Sequence, residues 1–376
     1  MRRHLLPCVA LLVACSTTPA APGEKLDDGK SYWPLATWRT AAAADAGMDA
    51  TRLENLLKKI RSKQYAEVHG LVIVKNGYVI AEEYFNGSSA QQVHEMQSVT
   101  KSVTSLVMGI AIDQGRFHVT DKLLDFFPEY TDIRNMDDRK RAVTLADALS
   151  MRSGINFYED PYPGSPLDQL NSSRGDWLRI VLDEPMNAAP GELWQYNSGV
   201  VISLGGVIFN STHINADDFA RQNLFDPIGV GPTFWYKGQP NDLPHMGGGL
   251  NLRATDLARI GYLVLRKGRW GDRQIVSEQW IASSTSHIVR NPRTFGSHPT
   301  DYGYLWWLMP FDDTDIITAS GAKGQWLFII PKYDMVVAVT SGGTTFNGYV
   351  DPVNFLYSEI LPAVLLPGSQ LSQLRD

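Results

Sequence analysis

The segment from Ser98 to Gln114, SVTKSVTSLVMGIAIDQ, is apolar almost all round after its first turn and is followed by Gly115. A surface helix keeps a polar face. One without such a face has to be enclosed on every side, and Gly commonly stands just past a helix end. The segment therefore predicts a helix at the centre of the molecule, with the rest of the chain arranged around it. The chain can supply that enclosure, since 44% of its 376 residues are hydrophobic and it holds ten Trp, fifteen Tyr and fourteen Phe. At roughly 150 residues per domain this length corresponds to about two to three domains, and the composition excludes disorder over most of it.

Strand signals fall at both ends of the body. Leu71-Val72-Ile73-Val74 and Tyr78-Val79-Ile80-Ala81 flank Lys75-Asn76-Gly77, and Asn-Gly supplies the positive φ angles of a tight hairpin. Further strands are read at Ile316 to Thr318, Trp326 to Ile330 and Met335 to Thr340. Leu53, Leu56, Leu57 and Ile60 recur at helical spacing between Met48 and Lys63, and a closing helix is read near Val353 to Leu365. Between about 116 and 300, helical stretches alternate with Gly and Pro loops without sustained strand alternation. The expected fold is α+β, an antiparallel sheet flanked by helices and built from N- and C-terminal segments (46–115 and 300–376), with a mostly helical lobe (116–299) inserted between them.

Met1-Arg2-Arg3-His4 followed by apolar Leu5 to Ala14 reads as an export signal, too short to span a bilayer. It ends in Leu12-Val13-Ala14-Cys15, which resembles a bacterial lipobox. The expectation is a signal peptide over 1–14, a lipid anchor on Cys15, a Ser/Thr/Pro/Ala-rich tether over 15–45 whose end docks through Trp33 and Trp38, and a periplasm-facing lipoprotein, better placed at the outer membrane. The other cysteine, Cys8, lies in the leader, which leaves no pair for an internal disulfide. A formal net charge of −6 without a basic run excludes a nucleic-acid partner, because phosphate neutralisation needs clustered Lys and Arg.

Three constellations carry chemistry. In Ser98-Val99-Thr100-Lys101 a Ser at a helix start has Lys one turn later on the same face, so an amine whose pKa burial lowers can activate a hydroxyl. The spacing alone is weak and occurs again in Ser320-Gly321-Ala322-Lys323, but there no helix aligns its ends. The Pro190-Gly191 turn delivers Trp194, Tyr196 and Ser198, and a Tyr there can relay a proton to a leaving group, although such a Tyr is more often merely packed. Glycines at the end of the strand region 320–326 let backbone approach a substrate and present an N–H as half of an oxyanion hole. A Ser-His-Asp hydrolase lacks its G-x-S-x-G, and His94-Glu95-Met96-Gln97-Ser98 lacks the second His of a zinc motif. No cofactor and no metal are expected.

An S-x-x-K heading a buried helix, a Y-x-[N/S] about a hundred residues later and a Gly-rich strand near the C-terminus resemble, in that order, the serine β-lactamase and penicillin-binding-protein superfamily, in its class C and family VIII esterase branch. Leu149 to Gly154, Gly247-Gly248-Gly249-Leu250 and Tyr302 to Trp307 are similar to the same relatives. The Gly321-x-x-Gly324-Gln325-Trp326 pattern resembles the 6-aminohexanoate-dimer hydrolase-like serine hydrolases. The resemblance implies a β-lactamase-like fold with Ser98 as nucleophile, Lys101 as its base, Tyr196 as proton shuttle and the backbone N–H groups of Ser98 and Ala322 as oxyanion hole. Ser198, Gly321, Lys323 and Gln325 would bind or support the substrate. Ser198 replaces the Asn of β-lactamases, and the Lys-Thr-Gly that grips a β-lactam carboxylate is absent. The implied partner is therefore a small ester or amide, with a β-lactamase or D-Ala-D-Ala carboxypeptidase-like enzyme and a non-catalytic envelope binding module as alternatives; nothing indicates an oligomeric state.

Overall fold

A computed structural model describes residues 26–27, 30, 32–34, 37–65, 67–343 and 346–365; the leader over 1–14 and Cys15 lie outside them. The hairpin closes as its turn chemistry requires. Strand β1 (Val68–Lys75) pairs antiparallel with β2 (Tyr78–Tyr84), Lys75 opposite Tyr78, and Asn76 and Gly77 take φ of 50° and 74°. The other strands of this sheet are β3 (Val289–Phe295), β4 (His298–Tyr302), β5 (Trp307–Phe311), β6 (Thr314–Gly321), β7 (Gln325–Ile330) and β8 (Met335–Ser341), in the order β3-β4-β5-β6-β7-β8-β1-β2, all antiparallel. The N-terminal hairpin thus joins the C-terminal meander through the β1–β8 pair, as the strand signals at the two ends of the chain led us to expect.

Helices cover both faces. Asp49 caps α1 (Ala50–Arg61) by accepting from Arg52 N–H at 3.0 Å, and its buried stripe Leu53, Leu56, Leu57 and Ile60 lies against Leu71 and Ile73 of β1. Alternate residues of β1 face the opposite side, where Gly70 meets Ala254 at the start of α4 (Ala254–Leu265), a helix that also packs on β7 and β8. A strand covered on both faces carries a continuous apolar run, which is why Leu71 to Val74 shows no alternation. The closing helix α5 (Phe346–Phe355) runs on through Leu356–Ile360, where Glu359 pairs with Lys59 of α1.

Helix α2 (Val99–Asp113) is the enclosed helix: Val99 through Ala111 are all buried. Two of its polar residues are satisfied by loops that wrap it, Ser102 donating to Leu305 O at 2.7 Å and Thr104 to Met246 O at 2.8 Å. The equally apolar α3 (Ser198–Thr212) packs beside it.

Two boundaries differ from expectation. The sheet begins at Val289, inside the segment read as helical lobe, because β3 is an edge strand of mostly exposed polar residues and shows no apolar alternation. Helix α4 likewise belongs to the sheet layer although it lies within 116–299. Within 15–45 the described residues of the end pack on the body. Trp38 is buried against Tyr262, Trp33 donates to Arg269 O at 3.2 Å, and the Arg39 guanidinium lies 4.0 Å from the centre of Tyr32 and 3.7 Å from that of Tyr78. An aromatic pair and a cation between rings bury this stretch despite its Ala-rich composition.

Candidate active site

The chain enters α2 from a short strand, His94–Glu95, which pairs with Leu250–Leu252; Gln97 then takes φ of 49° and turns the backbone so that Ser98 heads the helix. One turn on, Lys101 is buried and its Nζ reaches three acceptors: Ser98 Oγ at 3.0 Å, Ser198 Oγ at 2.7 Å and Gly247 O at 2.6 Å. Three acceptors match the three N–H bonds of an ammonium. A neutral amine has two, and the Gly247 carbonyl can only accept, so Ser198 and Gly247 can hold both N–H bonds while the lone pair turns to the Ser98 hydroxyl. Burial lowers the Lys101 pKa to about 8, opposed by the Glu159 carboxylate, so about one molecule in ten carries the neutral amine at pH 7.

Tyr196 precedes α3 by two residues. Its loop is fixed by Gln195 N–H donating to Met151 O at 2.9 Å, and Asn197 both caps α3 through Val200 N–H at 2.8 Å and donates to Ile155 O at 3.1 Å. The phenol ring stacks on Trp307 at 6.0 Å, beside Trp194, and Lys101 Nζ lies 4.6 Å from its centre. Burial and the Glu159 carboxylate raise the Tyr196 pKa well above the usual phenol range, against the opposing effects of a hydrogen bond with Ser98 and the Arg293 guanidinium. Tyr196 is therefore a neutral donor at neutral pH. Of the two groups that touch Ser98, the lysine is the one able to accept a proton.

The third part comes from the sheet. At the end of β6 a Cβ on Gly321 would lie 2.3 Å from Met96 O, so only glycine lets this strand close on the turn before Ser98. The chain then bends through Ala322, Lys323 and Gly324, with Lys323 at φ 64°, and Gly343 N–H donates to Lys323 O at 2.9 Å. Ser98, Tyr196, Ser320, Ala322 and Lys323 line one cleft of about 950 Å³, walled also by Tyr158, Glu159, Trp194, Arg293 and Trp307.

The expected residues divide by position. Ser98, Lys101, Tyr196 and Ser198 converge, but Ser198 binds the lysine, so it positions the base rather than a substrate. Lys323 stands exposed at the rim, 3.8 Å from Glu95 Oε2. Gln325 does not line the cleft; its amide is buried against Ser341, donating to the carbonyl at 2.5 Å and accepting from the N–H at 3.2 Å, and so ties β7 to β8. Among the described residues no group of His, Cys, Asp and Glu is arranged to hold a metal. Sequence reasoning missed Glu159, which accepts from Ser198 N–H, and gave no role to Gly247, whose Gly-Gly-Gly run was the available signal. It also missed Arg293, for which no local signal exists.

A hydroxyl held between an amine able to take its proton and a phenol able to give one is the working centre of serine hydrolases that pass through an acylated serine, and this chain is a serine hydrolase of that class. Comparison with known proteins narrows the class: the family model described as Beta-lactamase matches residues 53–360, and the chain belongs to the beta-lactamase family. It is 23% identical over 354 residues to a 6-aminohexanoate-dimer hydrolase of Paenarthrobacter ureafaciens, covering 90% of this chain and 83% of that one. Esterase EstB of Burkholderia gladioli is 26% identical over 190 residues, 46% of this chain and 48% of its own. The fold is similar to that of the octameric penicillin-binding protein homologue from Pyrococcus abyssi, with TM-score 0.66, 20% identity and coverage of 84% of this chain and 77% of that one.

Proposed function

We propose that the protein hydrolyses small esters or linear amides through an acyl-enzyme on Ser98. Neutral Lys101 takes the Ser98 proton as Oγ bonds the substrate carbonyl carbon, and the carbonyl oxygen, now bearing the electron pair, is received by the N–H groups of Ser98 and Ala322. The carbon–leaving-group bond then breaks while Tyr196 gives its proton to the departing oxygen or nitrogen, and the proton held by Lys101 restores the phenol. Water repeats the sequence on the acyl carbon and releases Ser98. The observation that carries this reading is the buried amine 3.0 Å from Ser98 Oγ, with its other two contacts filled by acceptors.

Ester and linear amide substrates are favoured over β-lactams because Lys323, the cation nearest the position of the missing Lys-Thr-Gly, is exposed and turned to Glu95. The names of the hydrolase and esterase relatives support the same choice. The leader and Cys15 support a lipid-anchored protein of a bacterial envelope, facing the periplasm and attached to the outer membrane; Cys15→Ala is expected to abolish acyl labelling and release the protein from membranes. Assay on p-nitrophenyl esters, linear amides and a chromogenic cephalosporin, with mass spectrometry of the trapped acyl adduct, tests the catalytic reading. Ester turnover above cephalosporin turnover and an adduct on Ser98 are expected; an adduct elsewhere overturns it.

A further inference from the structure

Glu159 reaches the base through one residue that uses both its hydroxyl and its backbone N–H. Ser198 Oγ meets Lys101 Nζ at 2.7 Å, and Ser198 N–H, at the first position of α3, donates to Glu159 Oε1. Local packing brings the carboxylate there. Residues 155–159 run along the start of α3: Ile155 O accepts from Asn197 Nδ2 at 3.1 Å, and Phe157 is buried against Gly199, where a Cβ would lie 2.7 Å from its ring. Asn156 N–H donates to Pro185 O at 2.8 Å and ties the same segment to the chain beyond α3 in space. With Phe157 seated on the bare glycine, Glu159, two residues on, meets the first free N–H of the helix, at the end whose dipole favours a negative charge.

We propose that Glu159 is a positioning residue, the far end of a relay that runs through Ser198 and Lys101 to Ser98: it holds Ser198 against the amine and counters the charge that the amine acquires. The proposal rests on the acyl-enzyme reading above and adds a third group behind the base, which orients and supports it. As Ser98 Oγ bonds the acyl carbon, its proton moves to Lys101 Nζ and Lys101 becomes an ammonium. No proton passes on to Glu159, whose part is the fixed charge and the fixed hydrogen bond. The other titratable groups around the relay do not replace it. Tyr196 lies beside the amine, His245 on the turn that carries Gly247, Tyr302 on β4 and Arg293 on β3. Burial lowers the His245 pKa to about 4 and raises those of both tyrosines, so these three are uncharged at pH 7, and the Arg293 guanidinium is a cation. Asp160 and Lys323 stand exposed at the cleft, where solvent screens them.

The test compares Glu159→Gln, which keeps an acceptor for Ser198 N–H without the charge, with Glu159→Ala, which keeps neither, on the uncharged ester p-nitrophenyl butyrate between pH 6 and 10. Without the carboxylate Lys101 is a weaker base. In Glu159→Gln the acid limb of kcat/KM is therefore expected to move down by on the order of half a pH unit and the plateau kcat to fall about threefold to tenfold, with KM unchanged. Glu159→Ala should show the same shift of the limb and a larger fall in kcat. Ser198→Ala cuts the relay at its middle, so the double variant Ser198→Ala, Glu159→Gln should lose less kcat than the product of the two separate losses. A wild-type limb and plateau in Glu159→Gln, a loss confined to KM, or multiplicative losses in the double variant overturns the relay, while fluorophosphonate labelling of the wild type at Ser98 leaves the acyl-enzyme reading standing. A wild type that takes no such label overturns both.

Discussion

The chain contains the same four-residue pattern twice, Ser98-Val99-Thr100-Lys101 and Ser320-Gly321-Ala322-Lys323, and the serines of both copies line one cleft. In the first, a helical backbone puts both ends on one face, the lysine is buried, and its Nζ meets the serine at 3.0 Å. In the second, β6 ends in extended Gly321 and the chain bends at Lys323, so the amine points away from its serine and to Glu95 at the surface. Spacing in sequence is thus no measure of chemistry; the backbone conformation between the residues decides it. The second copy still lines the cleft, because its glycine lets β6 close on the turn before Ser98.

The most severe way to break this contrast is at the two serines. Ser98→Ala is expected to lose fluorophosphonate labelling and to lower kcat by 10³-fold or more, on the order of what removal of an essential nucleophile costs. Ser320→Ala should still be labelled once, at Ser98. An adduct on Ser320 in the wild-type protein would reverse the assignment of the two copies.

Removing the groups around Ser98 comes next. Lys101→Ala and Tyr196→Phe should each lower kcat by on the order of 10²-fold or more while the protein stays folded by circular dichroism. Because burial brings the Lys101 pKa to about 8, wild-type kcat/KM should rise with pH up to that value and then level, and a flat profile from pH 6 to 9 would remove Lys101 as the base. Stability supplies a separate check. The folded state sheds this proton near pH 8 while the unfolded chain keeps it to about 10.4, so between those values the unfolded state binds more protons and stability rises with pH. Lys101→Met lacks that rise, and denaturant melts at pH 7, 8.5 and 10 would show the difference.

Effects on the second copy should be smaller and of another kind. Gly321→Val places side-chain atoms where even a Cβ would meet Met96 O at 2.3 Å; β6 must then move, and kcat should fall about 10²-fold, as for loss of one oxyanion donor, with KM changed little. Lys323→Ala, at an exposed pair, should change ester turnover less than about threefold and leave the melting temperature within about 1 °C. A loss from Lys323→Ala as large as that from Lys101→Ala would mean that the surface lysine, too, works on the reacting atoms.

What the chain determines locally was legible. Asn76-Gly77 with flanking apolar runs gives the hairpin, the apolar sequence after Ser98 gives an enclosed helix, and 3.6-residue periodicity puts Lys101 over Ser98; each is fixed by interactions within a few residues. Tertiary structure decided the rest. Two of the three acceptors on the Lys101 amine come from Ser198 and Gly247, about 100 and 150 residues away. Arg293 comes from an edge strand whose exposed polar residues carry no periodic signal. A burial-lowered amine is a property of surroundings, and the surroundings exist only once β1 has paired with β8 and the central helix has been closed in by loops 203 and 142 residues further along the chain.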